Sequence, residues 1–468
     1  MALVEPALGP SPSLYSVAFD LGTVGFAAVE HFVAGDATRY RMTTDRTPDG
    51  AWDVTPVDSA PFRTRIVVHR PTDPARANGT VVVEWLNVTG GFDIPAVWMA
   101  THRHLVRSGT TWVGISVQEV GIRGGGGVTS GLSLRETSPE RYGSLDHPGD
   151  AYAYDIFSQV GRAVLGVLAA DHGLGVERVL AAGASQSAMY LTTYVNAVDR
   201  HAEVYDGFLL QGRAGAGVPI DGWDPGSIRL RDDDDPGIRV ARLAGRDRIR
   251  DDARVPVLVV QSETDVFGSL ASLGARQDDG DRFRLWEVAG AAHCDTYFLH
   301  AAPHDDGRRS VEELAGMIAR TELAGAVDAA PMNCGPQMHY VMQRAVDALD
   351  AWVRDGTPPP RAERFATDPS GMPDVDELGI VRGGVRTPWV DAPVMVLSGL
   401  GQRGVLTELM GTSRPLEPGA LAARWPGGRR EYVAGFRDAT TEAVANGHLL
   451  ADDADEITAL GALAWPAP

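Results

Sequence analysis

Ser185, Asp265 and His293 have the residue types and chain order that acyl-transfer chemistry needs. Ser185 sits in Gly183-Ala184-Ser185-Gln186-Ser187, directly after the apolar run Val179–Ala182, and a helical pattern starts at once. A tight strand-to-helix turn of this kind lifts a serine hydroxyl above a sheet edge. It needs small residues two before and two after the serine, and Gly183 and Ser187 meet that need. A serine hydroxyl is a weak nucleophile at neutral pH, so a base must take its proton during attack. His293 is the expected base, returning the proton to the leaving group. It is preferred over His300, His304 and His339 because it follows an apolar strand and sits among the small residues Ala289 to Ala292. A carboxylate behind the imidazole would fix its tautomer and stabilise the imidazolium. Asp265 is the preferred acid. Glu263 is the alternative, better placed to cap or brace the same loop.

The charge that develops on a substrate carbonyl needs preorganised N–H donors. The backbone of Gln186, opening the helix, is the first candidate, and Asn87 or Val88, after the run ending at Leu86, is the second. Among the aromatic residues, Trp85 and Tyr142 are the expected substrate contacts, with Phe92, Trp98 and Trp223 as further candidates.

The three polar residues must be carried by strands. Val81–Leu86, Thr110–Val117, Arg178–Ala184, Val204–Leu210, Val255–Val260 and Phe283–Val288 are short apolar runs fit for strands buried on both faces. Gly25–Glu30 and Arg63–Val68 add β-rich segments. Helical spacing recurs over Val97–Ser108, at Ile156, Val160, Val164 and Leu168, and at Val341, Ala345, Leu349 and Trp352. Ser310 with Glu313 offers a capping box for a helix over Val311 to Arg320. Strands alternating with helices predict an α/β fold with a mainly parallel central sheet flanked by helices. Ser185, Asp265 and His293 then each close a strand at its carboxyl end, where such sheets bind ligands. The expected organisation is a catalytic domain over residues 1–360, with insertions at about 121–150 and 209–254, and a C-terminal extension over 361–468 packed on the core. The glycine run Gly124–Gly127 reads as a mobile loop near the site.

With 468 residues, 44% hydrophobic and 22% charged, the chain has ample material for a core. A net charge of −20 excludes nucleic acid and anionic membranes as natural partners, since either needs a basic face. All the basic residues are arginine. No secretory signal or membrane-spanning run is visible, so a cytoplasmic location is expected. The acidic run Asp232–Asp235 lacks the alternating ligands and glycine of a calcium loop and reads as solvated. No metal or organic cofactor is expected. Cys294 and Cys334 are too few for a disulfide framework; they pair with each other, lie free or simply pack.

On these residues the chain resembles the α/β-hydrolase superfamily. It looks most like bacterial proteins described only as alpha/beta hydrolase domain-containing, a family of unassigned substrate. The likeness runs through Glu84–Gly91, Trp112–Ser116, Arg141–Leu145, His147–Asp150, Gly183–Ser187, Gln261–Asp265, Gly290–His293 and Gly383–Pro388. It implies a serine esterase-type site at Ser185, Asp265 and His293. A fainter similarity to tannase-type esterases lies in His293-Cys294 and Trp352–Gly356. In those enzymes a cysteine beside the nucleophile bridges to the one after the histidine; here Ala184 holds that position. The expected function is a serine hydrolase acting on a small-molecule carboxylic ester or lactone. The alternatives are an acyltransferase using the same triad and a silent ligand-binding member of the fold.

Overall fold

The computed structural model describes residues 3–7, 14, 17–222, 245–323, 327, 330–404 and 406–466. The acidic run Asp232–Asp235 and Trp223 lie outside the described residues. Nine strands form one sheet in the order β1-β2-β3-β5-β4-β6-β7-β8-β9. They are β1 (Leu3–Pro6), β2 (Phe26–Met42), β3 (Val54–Pro71), β4 (Thr80–Trp85), β5 (Thr111–Ile115), β6 (Arg178–Ala184), β7 (Gly207–Gln211), β8 (Val257–Ser262) and β9 (Phe283–Val288). From β5 to β9 every neighbouring pair is parallel. The first three strands and the β3–β5 junction are antiparallel.

The parallel strands are the apolar runs, and they are buried because helices cover both faces of the sheet. Alternation divides their side chains between two cores. Val82, Leu180, Leu209 and Leu258 join helices α1 (Ala96–Ser108) and α6 (Gln337–Asp355) on one face. Val81, Val83, Trp85, Ala181 and Phe208 join α2 (Ala153–His172) and α3 (Gln186–Thr193) on the other. Two shorter helices, α4 (Glu263–Phe267) and α5 (Val311–Ile318), follow β8 and precede α6. Ser310 and Glu313 form the expected capping box at α5.

β4 leads through α1 to β5 on one side, and the chain then returns through α2 to β6 on the other. The direction of winding therefore switches at β4, and the loops after β4 and β6 diverge around a crevice at the carboxyl edge. Buried Glu84 fixes the first of these connections. Its carboxylate accepts the N–H groups of Val97 and Trp98 at the start of α1, at 2.8 and 2.9 Å, and the Trp112 indole at 2.9 Å. Burial pushes this carboxyl up to about 8.

Strands β2 and β3 are much longer than their apolar segments. β3 runs through Pro56 and Pro61. Only Ile66–His69 of β3 pairs with β5, so the stretch around Pro56 and Pro61 has β2 as its one strand partner and its other edge tolerates proline. Beyond residue 360 come the hairpin β10 (Met395–Ser398) and β11 (Thr412–Pro415), then α7 (Arg429–Ala445) and α8 (Ala454–Leu463). This segment docks on α1 through Arg103–Glu456 (2.5 Å) and Arg107–Asp453 (2.9 Å). Among the described residues no helix is long and apolar enough to cross a membrane.

Candidate functional site

Ser185 stands between β6 and α3 with φ 58° and ψ −120°. A non-glycine residue held there costs about 1–3 kcal/mol, which the surrounding packing must offset. A Cβ at position 183 would lie 3.0 Å from Leu191 Cδ1 and 3.1 Å from Ser187 Cβ, which is why glycine and serine flank the turn. The Ser185 N–H donates to the Gln211 carbonyl at the end of β7 (2.8 Å), fixing the elbow to its neighbouring strand. Asn87 fixes it from the other side. Its amide donates to the Ala184 carbonyl at 3.0 Å and accepts the Thr89 N–H at 2.8 Å.

His293 Nδ1 lies 2.6 Å from Asp265 Oδ1. The acid is buried, and the imidazole is 13% exposed and lines the site cavity. Asp265 Oδ2 accepts the Ser262 N–H at 2.6 Å, and Ser262 Oγ accepts the Asp265 N–H. This capping box at α4 orients the carboxylate before the histidine meets it. Gly212, at φ 61°, floors the pair: a Cβ there would stand 2.9 Å from His293 Cε1 and 3.0 Å from Nδ1.

Glu263 points away from the histidine. Its oxygens accept the Gly290 N–H (2.7 Å), the Ser398 hydroxyl (2.7 Å) and the Gly399 N–H (2.9 Å), while burial pushes its carboxyl up. It therefore braces the loops after β8 and β9 against the C-terminal extension. Thr264 adds to this brace, donating to the Gly399 carbonyl at 2.6 Å and accepting the His293 N–H at 3.2 Å.

Ser185, Asp265, His293 and Asn87 border one cavity of about 310 Å³. Of the donor candidates, Gln186 opens α3, where first-turn N–H groups have no acceptor within the helix. The Val88 N–H makes only a long contact of 3.4 Å, to Gln186 Oε1. The Asn87 N–H is engaged by the Ile94 carbonyl at 3.1 Å, so Asn87 serves through its side chain instead.

The two aromatic residues expected to contact substrate, Trp85 and Tyr142, do not line this cavity. Trp85 is buried on the face of Val81 and Val83, where it stacks on Tyr190 beneath the elbow rather than lining the site cavity. Tyr142 is buried beside Arg65 and Glu30, donating to Glu30 at 2.9 Å and bordering a separate cavity of about 140 Å³. Trp98 packs on Trp112 in the core. Phe92 does line the site cavity. Cys294 and Cys334 are both free thiols. Cys294 lines the cavity and Cys334 contacts Ser413 and Met395. The glycine run is packed onto the loop after β4, where the Val128 N–H donates to the Thr89 carbonyl at 2.8 Å; Gly127 lies too close to Gly91 for any side chain.

Sequence reasoning missed Gly212 and most of the apolar wall: Phe298, Leu299, Met338, Leu406, Leu409 and Met410. Only the positive φ at Gly212 carries a local signal, and many glycines share it.

No curated protein sequence matches the chain. Among solved structures, it is similar to a cold-adapted esterase from an Arctic intertidal metagenomic library. Identity is 13% over 60% of this chain and 88% of that one, with a TM-score of 0.29. It is also similar to XC6422 from Xanthomonas campestris, a member of the a/b serine hydrolases without a lid. There identity is 14% over 53% of this chain and 83% of that one, with a TM-score of 0.28. Likenesses this faint bear on neither activity nor substrate. A family model described as "Alpha/beta hydrolase domain" matches residues 5–459. The chain, hydrolase-type sheet and flanking helices included, belongs to the alpha/beta hydrolase domain family.

Proposed function

We propose that the protein is a serine hydrolase that cleaves a carboxylic ester or lactone through an acyl-enzyme. The observation that carries this reading is the shared cavity, bordered by a serine at φ 58° and by a histidine already paired with a buried carboxylate at 2.6 Å.

In the proposed reaction Ser185 Oγ attacks the substrate carbonyl carbon while His293 Nε2 takes the hydroxyl proton. Asp265 holds Nδ1 protonated, leaving Nε2 as the basic nitrogen, and stabilises the imidazolium that forms. The carbonyl oxygen, now negative, turns toward the N–H groups of Gln186 and Val88. Each such donor contributes about 2.7–4 kcal/mol to the transition state. His293 then protonates the departing alcohol oxygen, or the ring oxygen of a lactone, and an acyl ester remains on Ser185. Water enters with His293 again as base, and the acid is released.

Ser185→Ala should abolish turnover of short p-nitrophenyl esters and labelling by a fluorophosphonate probe, with folding retained by circular dichroism. Full activity in that variant would remove the assignment.

A further inference from the structure

We infer that the wall supplied by Leu406, Leu409 and Met410 selects the substrate, and that this substrate is an uncharged ester or lactone with a short apolar body. The inference rests on the serine-hydrolase reading of the same cavity.

These three residues come from the C-terminal extension, more than a hundred positions beyond His293, yet they are in register with it. The Leu409 carbonyl accepts the N–H of Cys294, the residue after His293, at 2.9 Å. The Met410 carbonyl accepts the Asn333 N–H at 3.0 Å, and Thr407–Met410 forms a short 3-10 turn. The wall is thus a fixed part of the site. Phe92, Ile94 and Phe298 also line the cavity, so a bound ester meets carbon on several sides.

Nearly every polar side chain bordering this space is committed elsewhere. Asn87 spends its amide on Ala184 and Thr89, Thr129 donates to the Gly90 carbonyl, and Asp265 is paired with His293. Among the described residues no arginine lines the cavity. A carboxylate brought there would lose its hydration without meeting a cation, an uncompensated cost of several kcal/mol. Besides the reacting groups, the exceptions are Gln211, whose buried Oε1 accepts no hydrogen bond, and the Thr89 hydroxyl. Both are neutral, so they can meet a neutral polar group of the substrate but do not balance an ion. The volume, about 310 Å³, stands at the lower end of the roughly 300–1,000 Å³ range of ligand pockets. The apolar body must therefore be short.

Two substrate series on the full chain test this: p-nitrophenyl esters from acetate to decanoate, and alkyl butyrates from methyl to octyl. Until the cavity fills, each buried methylene should raise kcat/KM about fourfold, the equivalent of ~0.8 kcal/mol, and further length should lower it. An ester ending in a carboxylate should fall at least tenfold below its neutral counterpart. Leu409→Ala and Met410→Ala should move the optimum in one series to longer chains, and Leu409→Phe to shorter ones. The inference is overturned if neither optimum moves in any folded variant, or if wild type turns over the anionic ester as readily as the neutral one. The second comparison needs no variant to fold. Fluorophosphonate labelling separates the two readings. A labelled Ser185 with a flat chain-length profile removes only this inference, whereas an unlabelled native protein removes the hydrolase reading and this one with it.

Discussion

Gly212→Ala offers a direct test of how the candidate base is seated. Gly212 has φ 61°, and an added Cβ would lie 2.9 Å from His293 Cε1 and 3.0 Å from Nδ1. Ordinary carbon contacts are about 3.5–4.0 Å, so the imidazole must retreat by about 0.5 Å or more. Its bond to Asp265, now 2.6 Å, would lengthen or turn. A 1 Å displacement of a reacting group costs on the order of a hundredfold, so half of that predicts about a tenfold loss in kcat/KM. The same substitution also places alanine in the left-handed region, costing about 1–2 kcal/mol of stability. Gly173→Ala separates the two effects. Gly173 has φ 64° and ends α2, with nothing within 4 Å of an added Cβ. Both variants should lose similar stability in urea unfolding, but only Gly212→Ala should lose ester turnover and slow its labelling by fluorophosphonate. Equal kcat/KM in the two variants would refute the claim that His293 works from against Gly212.

Two further perturbations address the acids around the site. Asp265→Asn should lower kcat by about four orders of magnitude, since an amide cannot stabilise the imidazolium and favours the wrong tautomer. Glu263→Gln should instead act mainly on stability, costing about 1–3 kcal/mol by weakening the bonds to Gly290, Ser398 and Gly399, with kcat falling far less; the reverse order of kcat losses would transfer the role to Glu263. Asp295 is buried and its carboxyl is pushed up to about 7 by desolvation. Raised above its unfolded value of about 3.9, it adds stability at low pH that is lost as pH climbs to 7, about 4 kcal/mol across that window. Asp295→Asn should remove this slope from urea unfolding measured between pH 4.5 and 7.5, and identical slopes in the two proteins would contradict it.

What could be read from the residues follows the reach of the signal. Strand runs such as Val257–Val260 are apolar because both faces are covered, so their positions, and with them the strand ends that hold Ser185, Asp265 and His293, stand out locally. The brace role of Glu263 was also readable, from its place at the first position after β8. Trp85 shows where such reading stops. Alternation tells which residues share a face with Val83, but not which face looks into the crevice. Tyr142 is engaged by Arg65 and Glu30, partners far away in the chain. The wall at Leu406–Met410 leaves no local trace, because it acquires meaning only when its carbonyls meet Cys294 and Asn333.

The brace between Thr264 and Gly399 spans 135 residues of chain. At a synthesis rate of about 5–20 residues per second, Thr264 leaves the ribosome on the order of ten seconds before Gly399 exists. For most of that interval the nascent chain holds the candidate nucleophile, acid and base without the wall or the straps that fix their loops. Chains cut short before the hairpin of β10 and β11 stay in that unfinished state. Any chemistry at the candidate site thus waits until the segment around β10 and β11 has been made and has closed over the loops that hold it.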